Sequence, residues 1–225
     1  MHGWLNFWFA YFPYICLSVM VAGICFRYVS TPENWNSHST ELMEKKLLRV
    51  GSPLFHAGVL LAVGGHAAGL LVPEGVWEFV LGSAKAHDVM ALFVGKFVAA
   101  FMLIGLGVLV ARRLSNERIK AVSSSMDYVI SAVIGINILT GCYQVFVSHT
   151  PLFSAMGPWL RGLLFFNPDP ILMADVPLFM QLHVIAGFLF FALIPFSRMV
   201  HIFSVPVTYA IRPLVIFRKH HAEPE

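Results

Sequence analysis

Five long apolar runs constrain this chain more than anything else in it. They cover residues 5–26, 54–72, 89–110, 128–147 and 178–200. Each is close to the roughly 20 residues that a helix needs to cross about 30 Å of hydrocarbon. Lipid offers the backbone no hydrogen bonds, so runs of this kind span as helices. Hydrophobic residues make up 58% of the 225 and charged residues only 12%, a combination foreign to soluble domains of this size. The expected fold class is an all-α integral membrane protein, a five-helix transmembrane bundle forming a single domain with short loops. The first run is too long for a signal-peptide core and no small-residue cleavage site follows it, so it is expected to remain as a helix.

An odd number of crossings puts the termini on opposite sides, and basic residues say which. Arg27, Lys45, Lys46 and Arg49 follow the first run. Arg112, Arg113, Arg118 and Lys120 follow the third, and Arg198, Arg212, Arg218 and Lys219 lie at or beyond the end of the fifth. The opposite loops hold only Lys85 and Arg161, with Lys96 inside the third run. The N-terminus is expected outside and the C-terminus in the cytoplasm, as in a multi-pass protein of a bacterial inner membrane. This asymmetry accounts for the net charge of +3 without a nucleic-acid partner.

Between the runs, residues 40–49 read as a short amphipathic helix within the loop 30–50. Residues 148–177 are rich in proline and apolar side chains, and are expected to lie in the interface as a helix and turn that cover something. The tail 201–225 is basic and partly apolar, and is expected to dock on a cytoplasmic partner.

Ionisable side chains are rare inside membranes and usually functional there. His56 and His66 sit in the second run, His183 and His201 in the fifth. His56 and His66 are ten residues apart, about 15 Å of helix, while His183 and His201 are eighteen apart, five whole turns. Antiparallel crossings pair them by depth, His66 with His183 outside and His56 with His201 inside. Paired imidazoles are what an iron porphyrin takes on its two axial positions, so the chain is expected to hold two haems b. The two spacings differ by about 12 Å of rise. Tilt, or a kink at Pro195, must absorb that offset.

Gly69 follows His66 by three residues and Gly187 follows His183 by four, so each shares its histidine's face. They open the helix to a flat macrocycle, or serve helix packing. His87, beside Lys85 and Asp88, is either a solvated interfacial side chain or a proton and hydrogen-bond partner for a quinol. Lys96 pairs with a haem propionate, reaches into a polar pocket, or snorkels. Arg112 and Arg113 are topological anchors, with Arg112 a candidate propionate contact. His2, His38, His149, His220 and His221 lie in polar stretches and carry no assignment.

Cys16, Cys25 and Cys142 lie in the runs, and none belongs to a C-x-x-C-H motif, which excludes covalent haem attachment. Three thiols do not make the usual four-cysteine iron–sulfur site. Two rival classes remain: a zinc or copper transporter using the four histidines, and an anchor without redox activity. The first lacks the carboxylate or sulfur ligands that would complete its sites.

The chain resembles the gamma subunit of respiratory nitrate reductases, a family of membrane cytochromes b. The resemblance rests on Pro13-Tyr14, Phe26-Arg27-Tyr28, Leu54-Phe55-His56 with Gly58, and Gly65-His66 with Gly69. It continues through Arg112-Arg113-Leu114, Leu182-His183 with Gly187, Pro195-Phe196-Ser197-Arg198 and the stretch from Val200-His201-Ile202 to Val207. It covers nearly the whole chain.

The resemblance implies an outer haem b on His66 and His183 and an inner one on His56 and His201. It implies that menaquinol or ubiquinol is oxidised at the outer face, near Gly65, His66 and a basic residue at the start of the third span. That position falls on His87 here, with Lys85 two residues earlier, so either could contact quinol. Electrons would pass inward to an iron–sulfur beta subunit and a molybdenum alpha subunit, where nitrate is reduced, and the tail after Val205 would meet those partners. Related subunits serve sulfite-reductase-associated and heterodisulfide-reductase-like complexes, which stay open as alternatives.

Overall fold

The computed structural model describes residues 2–31, 35 and 40–204, which are helical almost throughout. α1 (His2–Asn6) passes through a π-helical turn at Phe7–Tyr11 into α2 (Phe12–Ser30). α3 (Lys46–His66) continues as a π-helical turn over Ala67–Leu71. A short α4 (Glu74–Leu81) precedes the long α5 (Ala84–Ser115). α6 (Glu117–Ala121) leads to α7 (Ser125–Tyr143), which ends in a third π-helical turn, Gln144–Ser148. α8 (Phe153–Leu164) and a 3-10 turn at Pro170–Met173 precede α9 (Leu178–Leu193). Five helices are long and apolar enough to cross a membrane: Gly3–Ser30, Lys46–Leu71, Lys85–Ser115, Ser125–Ser148 and Leu178–Phe196.

Caps and prolines set where these helices differ from the runs in the sequence. Ser83 accepts from the Ala86 amide and starts α5 before Val89. The helix then runs for 32 residues, about 48 Å, so both its ends outlast the hydrocarbon. The second span starts at Lys46 and takes in residues 46–49 of the stretch expected as a separate helix at 40–49, whose first part is turn, and Pro53 is carried inside it. The last span is shorter than the expected 178–200. Pro195 has no amide to continue the ladder, so α9 stops at Leu193 and the Ile194 amide closes on the Phe191 carbonyl. Two 3-10 turns follow, Ile194–Phe196 and Arg198–Val200, with the extended Ser197 (φ −126°, ψ 178°) between them.

Two apolar clusters hold the bundle. One joins Phe9 and Cys16 of the first span, Met156, Trp159 and Leu163 of α8, Met173, and Met180, Val184 and Phe188 of α9. The stretch 148–177 thus has the covering role expected of it. Trp159 Nε1 donates to the Phe9 carbonyl at 2.9 Å, a carbonyl that Pro13 cannot serve. Tyr14 donates to the Leu163 carbonyl at 2.7 Å, and Arg161 caps the second span at the Leu70 carbonyl, 2.8 Å away. The other cluster sets Ile130, Ile134 and Ile138 of α7 against Phe55, Met102, Leu106 and Phe190.

α3 packs on α5, while α9 packs on α7 and α2. The α3–α5 seam is built on glycine: a Cβ on Gly105 would lie 2.5 Å from the Phe55 backbone nitrogen, and one on Gly58 would lie 2.6 Å from Met102 Cγ. At one end of the seam Arg112 clamps the loop before α3. Its Nε bonds Glu44 Oε2 at 2.7 Å, its Nη1 bonds Thr40 Oγ1 at 3.0 Å, and its Nη2 bonds the Thr40 and Glu44 carbonyls at 2.9 and 2.6 Å.

Candidate functional site

α3 and α9 bring the four histidines of the spans together in two pairs. His66 faces His183 with ring centroids 6.0 Å apart and planes at 14°. His56 faces His201 with centroids 6.0 Å apart and planes at 56°. Both pairings are those expected from depth. The offset of about 12 Å in helical rise does not prevent them. α3 is unbroken between its two histidines, whereas the path from His183 to His201 contains the 194–200 interruption. That break lets the chain change direction before it presents His201.

Each imidazole is held by its Nδ1. His56 bonds the Ser52 carbonyl at 2.8 Å, His66 the Ala62 carbonyl at 2.6 Å, and His201 the Arg198 carbonyl at 2.7 Å. A carbonyl only accepts, so the ring hydrogen sits on Nδ1 and Nε2 keeps its lone pair. His183 Nδ1 lies 2.9 Å from Thr140 Oγ1. That hydroxyl is also within bonding distance of the Ile136 and Asn137 carbonyls, at 2.7 and 3.0 Å, so it ties the His183 ring to α7. Metal-binding histidines are commonly oriented in this way by a partner on the second ring nitrogen.

The spacing fits one metal between each pair. A metal–imidazole bond of about 2.0 Å on each side, plus about 1.15 Å from nitrogen to ring centre, separates two axial imidazoles by about 6.3 Å. Among the described residues no group of three His, Cys, Asp or Glu could hold a bare ion. A two-imidazole pair leaves zinc incomplete but supplies both axial ligands of a haem iron.

The remaining candidates separate. His87 is buried, 4% exposed, so it is not the solvated side chain that its interfacial position allowed. Trp77 of α4 and Phe153 of α8 flank its ring, with centroids 4.9 and 4.4 Å away. Its Nδ1 is 3.4 Å from Asp88 Oδ1 and makes no hydrogen bond among the described residues. A Cβ on Gly69 would lie 3.6 Å from its Nε2, so His87 stands one turn beyond His66. Lys85 is exposed on another side of α5, beside Met90 and Phe93. The structure therefore does not bring Lys85 to His87. Gly65 is exposed, and an added Cβ there would meet nothing within 4 Å. Gly187 turns toward Asn137 Oδ1 of α7. Arg112 uses all three of its nitrogens on Thr40 and Glu44, so a propionate could reach it only by displacing part of that clamp.

Comparison with known proteins supplies the lineage. The family model described as nitrate reductase gamma subunit matches residues 5–220. The nitrate reductase gamma chain of Bacillus subtilis is 37% identical over 211 residues, covering 92% of this chain and 95% of its own. The respiratory nitrate reductase 2 gamma chain of Escherichia coli is 32% identical, covering 94% and 96%. The nitrate reductase-like protein NarX of Mycobacterium tuberculosis is 32% identical across 92% of this chain, which spans 32% of that longer protein. This chain belongs to the nitrate reductase gamma subunit family.

Membership makes it a multi-pass membrane subunit of a nitrate reductase complex, an oxidoreductase. Several residues that shape this gamma subunit's site escape a reading of sequence alone. Thr140 sits in an apolar run, where a lone hydroxyl usually only bonds its own helix. Trp77 lies in a helix the sequence does not announce, and Phe153 in a stretch legible only as a cover. Asp127 carries a signal, the Ser124-x-x-Asp127 capping box, but that signal points to a helix start. The tail 205–225, expected to meet partner subunits, lies outside the described residues.

Proposed function

We propose that this chain is the dihaem cytochrome b subunit of a respiratory nitrate reductase. It oxidises quinol at the outer face of the membrane and delivers the electrons to iron–sulfur and molybdenum subunits on the cytoplasmic side, where nitrate is reduced. The observation that carries the reading is the pair of facing imidazole pairs, each 6.0 Å apart, with every Nδ1 already bonded. Two haems b, one on His66 and His183 and one on His56 and His201, would supply one-electron carriers near the two membrane faces.

The chain's own residues do the rest. The Nδ1 partners hold all four Nε2 atoms as ligands and spare each ring from reorienting. His87, buried between two aromatic rings one turn from His66, offers an imidazole as hydrogen-bond partner to a quinol hydroxyl. Protons released there leave on the outer side, while negative charge moves inward. A membrane potential follows without a proton channel. The basic residues of the loops after the first and third spans support this orientation. His87 is favoured over Lys85 as the quinol-contacting group because His87 is buried beside Gly69 whereas Lys85 is exposed beside Met90 and Phe93.

The test is His66→Ala in the intact complex. The dithionite-reduced α-band should fall to half, and quinol-dependent nitrate reduction should stop. Full quinol turnover with half the haem would contradict the assigned path. His87→Ala should retain both haems and raise the KM for quinol, whereas Lys85→Ala should leave it unchanged.

A further inference from the structure

The break that presents His201 is tied to the rest of the bundle by charge. Arg27 of α2 donates from Nη1 to the Pro195 and Ser197 carbonyls, at 2.8 and 2.9 Å. The Arg198 side chain reaches α7, with Nε 2.8 Å from Asp127 Oδ1 and Nη2 2.9 Å from the Val122 carbonyl. Asp127 is 3% exposed. Its second oxygen takes Arg113 Nη1 of α5 and the Ser124 amide, both at 3.0 Å. The Arg198 carbonyl is in turn the acceptor for His201 Nδ1, at 2.7 Å. One residue thus joins the buried carboxylate to the imidazole: its side chain is gripped by Asp127 and its backbone orients His201.

Capping α7 explains the contact between Asp127 and Ser124. It does not explain a carboxylate buried between guanidiniums from two other elements. Stability is a poor reason for that arrangement, because desolvation offsets much of the attraction within a buried ion pair. Orientation is a better one. The 194–200 segment has no continuous helix ladder to set its direction, so side-chain anchors must set it. The Nδ1 partners of the opposite pair, the Ala62 carbonyl and the Thr140 hydroxyl, belong to residues without a charged side chain.

We propose that Asp127 is a positioning residue for His201, acting through Arg198, and that its negative charge tunes the haem at His56 and His201 without affecting the one at His66 and His183. The inference rests on the dihaem reading. Removing the carboxylate charge makes the surroundings of that haem more positive by one unit, which disfavours the cationic ferric state and raises that haem's midpoint.

The experiment is Asp127→Asn in the complete complex in membranes, read by a potentiometric titration of each haem and by low-temperature EPR. The two sites, with imidazole planes at 14° and 56°, are expected to give distinct low-spin signals. The expected result is a raised midpoint or lost occupancy at the His56–His201 site alone, with the other haem serving as internal control. Wild-type midpoints at both sites, or equal changes at both, would overturn the proposal. If that variant does not accumulate, Arg198→Lys decides: it keeps the cation but loses the two-pronged grip. It should alter the EPR signal of the same haem only, and an unaltered signal overturns the assignment. A wild-type complex without haem would instead defeat the dihaem reading.

Discussion

Thr140 is the residue at which one α7 hydroxyl holds an α9 imidazole. Its replacement by valine keeps the volume and removes the hydrogen-bond partner of His183 Nδ1. Loss of an orienting partner typically weakens metal binding by about 10–100-fold. Thr140→Val is therefore expected to deplete the haem at His66 and His183 under limiting haem and leave the other site filled, measured from the EPR amplitude of each. The four histidines were legible in sequence because a membrane interior makes an ionisable side chain conspicuous. Their pairing was legible because antiparallel helices match depth to depth. Thr140 was not, because its role depends on which helix α9 packs against, and no local pattern states that. His87 was legible as a candidate, but its burial depends on Trp77 and Phe153, contributed by elements that fold over it from either side in sequence.

Among the elements, the α3–α5 seam is one that glycine makes possible. Gly105 touches the Phe55 backbone, one residue before a histidine of the site, whereas an added Cβ on nearby Gly107 would meet nothing within 4 Å. Gly105→Ala should force α3 away from α5, lowering the Tm by an amount matching the roughly 1–3 kcal/mol typical of overpacking and disturbing the haem at His56. Gly107→Ala should do neither, and thermal melts of the two variants side by side check this. Five spanning helices were legible from hydropathy alone. Their ends were less so. Ser83 and Asn116, not the limits of the apolar run, bound α5. Pro195 was recognisable as a kink, but the two 3-10 turns and the extended Ser197 between them follow from how Arg27 and Arg198 anchor the segment.

At the scale of the whole molecule, the chain is fastened most firmly where its helices leave the apolar zone. The clamp of Arg112 on Glu44 fixes the loop ahead of α3, and the Leu47 amide, with Arg112 in support, holds the Glu44 carboxyl below the usual carboxylate range. A lowered folded value means that the contribution is complete above the unfolded value and disappears as pH falls through the lowered one. The Tm gap between the wild type and Glu44→Gln should accordingly be widest near neutral pH and close in acid. A gap that persists in acid would show that Glu44 acts by some means other than its charge. Of α3 only Gly51 and Gly58 are buried within the chain, against Met180, Val184, Ala186 and Phe188 of the shorter α9. A helix so lightly covered by its own protein depends on lipid and on what its histidines hold. The most direct measurement is the haem content of the purified complex by pyridine haemochrome, set against the gamma-chain concentration. The expected value is two haems b per chain, falling to one in His66→Ala and to one in His201→Ala. A wild-type chain without haem, or one whose haem survives both substitutions, would contradict the assignment of the two imidazole pairs as axial ligands.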